Sequence, residues 1–205
     1  MNILEALHNR KILGRRIRVL SEHIAELIPP GASVLDVGCG SGDIDRLIMK
    51  GRDDVKISGV DVLVREDTAI PVREYDGHTI PYEENSFNVV MFVDALHHTR
   101  NIEELLSEAR RVSRQYVVMK DHTLEGLFSQ RRLKFMDWVG NRRFGVSLTY
   151  NYYTKEQWFK TFEKVGLAVE TWKTELGLYP WPISAVFGSS LHCVARLGKK
   201  DDTGT

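Results

Sequence analysis

Stretches with helical spacing of apolar residues alternate along this chain with short apolar runs typical of strands. Leucine and isoleucine recur at helical spacing from Leu4 to Ile28, and two prolines end the run, which predicts an amphipathic helix within residues 1–30. Strands that alternate with helices indicate an α/β protein with a doubly wound, mostly parallel sheet and helices on both faces. The apolar runs predict strands near 33–37, 55–60, 115–120, 167–176 and 192–197.

Polar residues before apolar runs mark the starts of two further helices. Asn101 with Glu104, and Thr154 with Gln157, have the spacing of capping boxes. Residues 124–139 also have a helical pattern, which a glycine ends. A chain of 205 residues without an internal repeat has the length of one domain with a full core. We therefore expect a single domain over 1–198 and a disordered polar tail at 199–205.

Three glycines follow the first predicted strand, within the segment VLDVGCGSGD at 34–43. Glycine permits left-handed backbone angles and a close approach to a ligand, and the N–H groups that open the next helix are free to meet that ligand. A dinucleotide fingerprint needs a glycine where this chain has Asp43, and an acid there repels a pyrophosphate. The acid before the turn, Asp36, instead suits a ligand that carries a cation. The three glycines are Gly38, Gly40 and Gly42.

This segment resembles the first motif of class I S-adenosylmethionine-dependent methyltransferases, and three later segments strengthen the resemblance. Asp61 ends the second predicted strand about 20 residues after Gly40, the distance at which a carboxylate accepts both ribose hydroxyls. Asp76, after the third strand, matches the acid that meets the adenine amino group in many of these enzymes. The segment 86–98 is similar to the fourth strand and following small helix of the UbiE-like branch, which methylates small molecules.

The resemblance implies a seven-stranded Rossmann-like sheet with an antiparallel last strand. It also implies S-adenosylmethionine as cofactor, with S-adenosylhomocysteine as product. The cofactor would be held by the glycine turn and by residues after strands two, three and four. These residues are Asp36, Gly38, Cys39, Gly40, Gly42, Asp61, Val62, Asp76, Gly77 and Val93.

The connection between the second and third predicted strands departs from the family pattern. Too few residues separate Asp61 from Asp76 for a full crossover helix and a third strand, and Pro71 lies among them. We therefore expect this helix to be short or absent, which either opens one side of the cofactor site or leaves it to a neighbouring segment. The departure also weakens the adenine role assigned to Asp76.

Polar residues after strands four and five are the candidates for catalysis, because ligands of such sheets bind at the carboxyl ends of the strands. His122 directly follows strand five and is our first candidate for a general base, with a histidine that bonds a loop as the alternative. His98 and its neighbour His97 come next, with Asp94 either orienting an imidazole or serving as a helix N-cap. The sequence has no Cys/His spacing typical of zinc, so we expect no metal site.

Most aromatic residues lie in the second half of the chain, where we expect substrate-pocket insertions within residues 121–190. Small-molecule pockets are lined by apolar and aromatic groups with a few polar ones. The segment 177–190 is long for a connection between the last two strands and is a candidate lid or subunit contact. The alternative is that these aromatics pack the outer helices. The predicted substrate contacts are Asp137, Trp138, Asn141, Tyr150 and Tyr152.

Charge and cysteine content limit the partners. Lys plus Arg and Asp plus Glu each number 28, so the net charge is zero, which argues against a general nucleic-acid binder. The basic residues between Arg10 and Arg18, within the helix at 4–28, suit an anionic membrane surface, a phosphorylated substrate or simply a solvated helix face. Two cysteines, no apolar run long enough to span a membrane and no signal-peptide pattern favour a reducing cytoplasm.

These observations predict an enzyme that methylates oxygen or carbon of a small, apolar or aromatic acceptor. Nucleic-acid methylation is an alternative. Enzymes that methylate amino groups of DNA and RNA share an Asn/Asp-Pro-Pro-aromatic block after strand four, and this chain instead has DALH at 94–97. An NAD-dependent oxidoreductase is a third hypothesis, which Asp43 disfavours. The fourth is a cofactor-binding partner protein without catalysis, and the sequence leaves the oligomeric state open.

Overall fold

The structure is a computed structural model that describes residues 3–126, 128–134, 151–181, 183–184, 188 and 191–200, with side chains from residue 13 onward. Among the described residues, the helices with defined bounds are α1 (Ile3–Ala25), α2 (Asp43–Gly51), α3 (Ile102–Val112) and α4 (Lys155–Lys164). The strands are β1 (Ser33–Val37), β2 (Lys56–Asp61), β3 (Val72–Glu74), β4 (Phe87–Val93), β5 (Ser113–His122), β6 (Leu167–Lys173) and β7 (His192–Lys199).

Within the part of the chain that the structure describes, seven strands form one sheet in the order β3-β2-β1-β4-β5-β7-β6, and this arrangement confirms the predicted fold class. Strands β1 to β5 pair in parallel with one another. The last strand, β7, is antiparallel to both β5 and β6. The register places His192, the first residue of β7, opposite His122, the last residue of β5. The carboxyl ends of the parallel strands and the start of β7 therefore share one edge of the sheet.

Helices cover both faces of the sheet, because side chains alternate between the two faces along each strand. Leu35 points into a cluster with Trp158 of α4 and with the apolar stripe of α3. Its neighbour Val34 points into a second cluster, on the opposite face, with Leu20 of α1 and Ile48 of α2. Leu35, Trp158, Val34 and Leu20 are fully buried. The fold therefore has three layers, with helices on both faces of the sheet. The site described below lies at the carboxyl edge of the middle layer.

Both predicted helix starts are present. The Asn101 side chain accepts a hydrogen bond from the Glu104 N–H, and Thr154 with Gln157 forms a complete capping box. Within the predicted helix at 124–139, the described residues are helical at 129–134. The fifth strand is longer than predicted and ends at His122, because polar residues at 120–122 continue the pairing with β7.

Two connections bear directly on the site. Residues 62–71 between β2 and β3 contain no helix, as the short spacing predicted. After β4, the segment 96–98 forms a single 3₁₀ turn with Ala95 at its N-cap position. The prediction of a helix that starts at Asp94 is therefore wrong, and so is the N-cap role, since Asp94 has a left-handed backbone with φ of 56°. Within the described part of the chain, no helix is long and apolar enough to cross a membrane.

Candidate functional site

The glycine turn lies between β1 and α2 at the carboxyl edge of the sheet. Gly38, Gly40 and Gly42 all have left-handed backbone angles, with φ of 79°, 59° and 72°. A Cβ atom on Gly38 would lie 2.8 Å from the Cβ of Ala95, and one on Gly42 would lie 2.6 Å from Cγ1 of Ile70. Both the backbone angles and the available space therefore require glycine at these positions.

Asp61 ends β2 beside this turn. The Gly40 N–H donates to Oδ2 of Asp61 at 2.8 Å, and the Leu63 N–H donates to Oδ1 at 3.0 Å. These two bonds fix the carboxylate against the turn. Each oxygen keeps a lone pair for a further donor, so the arrangement fits a carboxylate that accepts the hydroxyls of a ribose.

Two buried carboxyl groups lie close to the turn. Asp36 in β1 is 2% exposed, and Asp45 in α2 is fully buried. Burial and the contact with Asp45 raise the pKa of Asp36 well above its ordinary value. Burial likewise raises the pKa of Asp45, to about 6. Burial thus favours the protonated form of both carboxyl groups, and a nearby cation would favour release of a proton.

Cys39 lies within the turn, and its side chain packs against Gly59 of β2. Burial and the neighbouring carboxyl groups raise the pKa of the Cys39 thiol, which keeps it protonated. A thiol in this state is a poor nucleophile. Cys39 can therefore form part of the wall of a cofactor site, and chemistry at its sulfur is not expected.

The remaining predicted cofactor contacts lie after β2, β3 and β4. Asp76 accepts hydrogen bonds from the His78 N–H (2.8 Å) and the Thr79 N–H (2.7 Å), and these bonds lower the pKa of Asp76. A Cβ on Gly77 would lie 3.1 Å from Cγ1 of Val62, so the loops after β2 and β3 meet at these two residues. Val62 is 55% exposed. Val93 is partly buried at the end of β4.

Asp94 follows β4 and lies in a cluster of charged groups. Its carboxylate forms ion pairs with the Arg16 guanidinium of α1 and with the Lys120 ammonium of β5. Its Oδ1 also lies 3.6 Å from Nε2 of His122. Burial favours the protonated acid, but Lys120 and Arg16 outweigh it and hold the pKa of Asp94 well below its usual range. Asp94 is therefore a carboxylate that faces His122.

A second Asp–His pair lies beside the first. Nδ1 of His97 lies 2.7 Å from Oδ1 of Asp121, and the His97 N–H donates to Oδ2 of the same carboxylate at 3.3 Å. Burial opposes the charge on Asp121, yet His97 lowers the pKa of that carboxyl. Asp121, and not Asp94 as predicted, orients an imidazole of the pair at 97–98. The His98 ring lies 4.0 Å from the His97 ring.

His122, the first candidate for a general base, is 4% exposed and central to a group of rings. Its ring centroid lies 4.6 Å from that of His97, 5.9 Å from that of Tyr152 and 5.1 Å from that of His192. Tyr152 is the one predicted substrate contact that the described residues include. The other four, Asp137, Trp138, Asn141 and Tyr150, lie outside the described residues.

The residues that the structure describes include one cluster with the donor set of a metal site. Asp94, His97 and His122 place ligand atoms within 4.8 Å of one another. Both carboxylate oxygens of Asp94, however, already contact cations, Arg16 and Lys120. A divalent ion would have to displace or neutralise these groups, so the charges do not favour a metal here.

Three residues of the site were missed in the sequence. Arg16 interrupts the apolar stripe of α1, because it lies three positions after Leu13 and four before Leu20. Lys120 continues an apolar strand and is fully buried. His192 opens the last strand. A charged or polar residue at a position that the apolar pattern reserves for the core is the signal that identifies the first two.

Comparison with known proteins places this site in a family. The model of the methyltransferase domain family matches residues 8–171. The bifunctional methionine biosynthesis protein MetXA/MetW of Rhodopirellula baltica is 34% identical over 50% of this chain and 19% of its own length. The ubiquinone/menaquinone biosynthesis C-methyltransferase UbiE of Cupriavidus taiwanensis is 27% identical over 61% of this chain and 59% of its own length. The chain thus spans less than two thirds of either relative.

Solved structures agree at the level of the fold. A chain in the complex between the Haloferax volcanii methyltransferase activator Trm112 and a methyltransferase is similar with a TM-score of 0.70 and 13% identity. The match covers 94% of this chain and 94% of that one. The family match extends over most of the chain, including the glycine turn, Asp61 and the Asp94–His122 cluster. The chain therefore belongs to the methyltransferase domain family.

Proposed function

We propose that this protein transfers a methyl group from S-adenosylmethionine to oxygen or carbon of a small, apolar or aromatic acceptor. The proposal rests on one contact: Gly38 of the turn packs against Ala95, the residue after Asp94. The turn that would hold the cofactor therefore adjoins the cluster that contains a carboxylate and a histidine. A methyl donor and a proton acceptor at adjoining places are what such a transfer requires.

The geometry of the turn supports our assignments on the cofactor side of the site. When bound, S-adenosylmethionine supplies an electrophilic methyl group on a positively charged sulfonium, and S-adenosylhomocysteine is the product. We assign Asp61 to the ribose hydroxyls and Asp76 to the adenine. Asp36 would ionise next to the positive charges of the methionine part. The walls would be formed by Gly38, Cys39, Gly40, Gly42, Val62, Gly77 and Val93.

The acceptor side is assigned to the polar cluster. His122 would accept the proton of an acceptor hydroxyl or acidic carbon, while the electron pair of that oxygen or carbon forms the bond to the methyl group. Asp94, ionised and 3.6 Å from the His122 ring, would stabilise the imidazolium that results. Lys120 and Arg16 keep Asp94 ionised and in place. His98 remains a second candidate, held near His97.

The substrate contacts Asp137, Trp138, Asn141 and Tyr150 stay proposals. Tyr152 is supported by its position, since its ring stacks 5.8 Å from the His97 ring and is 6% exposed. We also propose that residues 1–198 act as one domain, in the cytoplasm, because all seven strands share one sheet and neither Cys39 nor Cys193 is in a disulfide.

The basic helix supports this assignment more than a membrane role. Arg16 contacts Asp94, and the Arg15 guanidinium donates to the Gly177 carbonyl at 3.2 Å. Two of the basic residues between Arg10 and Arg18 thus hold α1 against the site. The balanced net charge gives no support to nucleic acid as the acceptor. We therefore propose a small-molecule acceptor that binds under α1.

Transfer of a labelled methyl group tests the proposed function. Purified protein is incubated with tritiated S-adenosylmethionine and with fractions of a bacterial extract separated into small molecules, nucleic acids and proteins. We expect label in the small-molecule fraction, and no label when His122 is replaced by alanine. Label confined to nucleic acid would favour the alternative enzyme. A protein that binds the cofactor and labels none of the fractions would favour a cofactor-binding module without turnover.

A further inference from the structure

A pocket beside the catalytic cluster has no role in the assignments above. We propose that it binds the acceptor, and that His192 recognises an acidic hydroxyl, a phenol or an enol, on an otherwise apolar molecule. The inference rests on the proposed function, because it names the acceptor class for the same site.

The pocket has the size and lining of a small-molecule site. It has a volume of about 410 Å³ and lies between the segment after β6 and the start of β7. Leu176, Leu178 and Tyr179 form apolar walls, and His192 lies among the lining residues. Pockets for small molecules have volumes of about 300–1,000 Å³ and combine apolar walls with a few polar groups. An apolar ring system fits this description.

His192 is the polar group of this pocket. Its side chain is 1% exposed, and neither ring nitrogen has a hydrogen-bond partner among the described residues. Buried polar atoms without a partner are rare and unfavourable, so they indicate a missing ligand or water. Burial and the charge of Lys120 lower the pKa of His192 well below its ordinary value, which keeps the ring neutral. A neutral imidazole offers one donor and one acceptor, as a hydroxyl does.

The charges around the pocket favour an oxygen that can become negative. The Arg16 guanidinium, which pairs with Asp94, also bonds the Tyr179 hydroxyl at the pocket wall. Besides burial, the charges of Lys120 and Arg16 both lower the pKa of the His192 ring, against the opposing effect of the single carboxylate of Asp94. Glu175, the acidic residue of the lining, is exposed to solvent. The same potential stabilises a phenolate or enolate that accepts the N–H of His192.

The position of the pocket suits transfer to that oxygen. His192 pairs with His122 across β7 and β5, and their ring centroids lie 5.1 Å apart. His122 in turn faces Asp94, which adjoins Ala95 and the glycine turn. The glycine turn, His122 and the pocket at His192 therefore lie one after another along the carboxyl edge of the sheet.

Binding of 2-naphthol tests the inference, with naphthalene as the matched probe that lacks the hydroxyl. Both are titrated by fluorescence into the full-length protein, with and without S-adenosylhomocysteine. We expect 2-naphthol to bind the wild-type protein at least about 10-fold more tightly than naphthalene. In His192→Phe we expect this ratio to fall to about 1, while the affinity for S-adenosylhomocysteine is unchanged. In His192→Gln, which keeps one donor and one acceptor, we expect part of the preference to return.

Equal affinity of the wild-type protein for the two probes would overturn the inference, and so would a preference that His192→Phe leaves intact. If His192→Phe fails to fold, the ratio of the two probe affinities in the wild-type protein and in His192→Gln still tests the inference. Failure of the proposed function is separate. If the protein binds no S-adenosylhomocysteine but still prefers 2-naphthol through His192, the inference about the pocket holds and the proposed methyl donor is wrong.

Discussion

Arg16 of α1 and Asp94 after β4 form an ion pair, although 78 positions separate them in the sequence. The pair ties the N-terminal helix to the acidic group that faces His122. Because of this pair, Arg16, which the sequence suggested lies on a basic surface of α1, is part of the site. Breaking the pair leaves a partly buried carboxylate with Lys120 as its remaining cationic partner.

We expect Arg16→Met to lower the free energy of unfolding by about 1–3 kcal/mol, because removal of one partner of a partly buried pair leaves the other uncompensated. This loss is smaller than that expected for a fully buried ion pair, because the side chains of Arg16 and Asp94 are 23% and 21% exposed. Arg18→Met, an exposed position on the same helix, is the matched control and is expected to change stability by less than about 0.5 kcal/mol. Urea denaturation measures both. Equal changes in the free energy of unfolding for the two substitutions would show that the Arg16–Asp94 ion pair does not stabilise the protein.

The buried carboxyl pair predicts a pH dependence of stability. Since the folded pKa of Asp45 is raised to about 6, its protonated form contributes stability that is present below the unfolded pKa, about 3.9, and is lost as the pH rises to about 6. We expect Asp45→Asn to be more stable than the wild-type protein at pH 8 by roughly 1–3 kcal/mol, and the difference to shrink towards pH 4.

The difference between Asp45→Asn and wild type isolates this pair. Carboxylates with lowered pKa, such as Asp94 and Asp121, contribute with the opposite sign, but they are shared by both proteins and cancel. Chemical denaturation at pH values from 4 to 8 gives the curve. A difference that grows as the pH falls would contradict the raised pKa.

The turn glycines predict a contrast between two alanine substitutions. Gly38→Ala forces a left-handed angle and a 2.8 Å approach to Ala95, so we expect a loss of about 1–3 kcal/mol and weaker cofactor binding. Gly14→Ala is the matched control, because an added Cβ on Gly14 meets nothing within 4 Å in helix α1. We expect Gly14→Ala to stabilise the protein by about 0.5–1 kcal/mol. Thermal unfolding distinguishes them, and a tolerated Gly38→Ala would contradict the described turn.

The Asp121 carboxylate predicts the tautomer of His97. An ionised acceptor 2.7 Å from Nδ1 requires a hydrogen on that nitrogen. Nitrogen-15 NMR of histidine-labelled protein should show His97 protonated at Nδ1, and Asp121→Ala should abolish the preference. A His97 protonated only at Nε2 in the wild-type protein would show that Asp121 does not orient it.

The sequence predicted the sheet because both the strand pattern and the turn chemistry are local. Five of the strands, the two capped helices and the short or absent helix at 62–71 follow from spacing that a few neighbouring residues determine. The third and fourth strands and the total of seven came from the resemblance to a known family. The resemblance to a known family added the antiparallel last strand, which local patterns do not reveal.

The site was only partly predictable, because its contacts join distant segments. Asp94, His98 and His122 were selected for their position after strands, and Asp94 does lie near His122. The pairing of His97 with Asp121 depends on how the turn at 96–98 packs against β5, and the sequence does not specify that packing. His192 meets His122 through the register of an antiparallel strand pair, which is fixed by tertiary structure.

Isothermal titration calorimetry with S-adenosylmethionine and with NAD tests the central claim most directly. We expect S-adenosylmethionine to bind and NAD not to bind. Asp61→Ala should weaken S-adenosylmethionine binding by about 100-fold, through the loss of two charge-assisted hydrogen bonds, and the exposed control Asp53→Ala should leave it unchanged. Binding of NAD in place of S-adenosylmethionine, or an Asp61→Ala variant with wild-type affinity, would contradict the account.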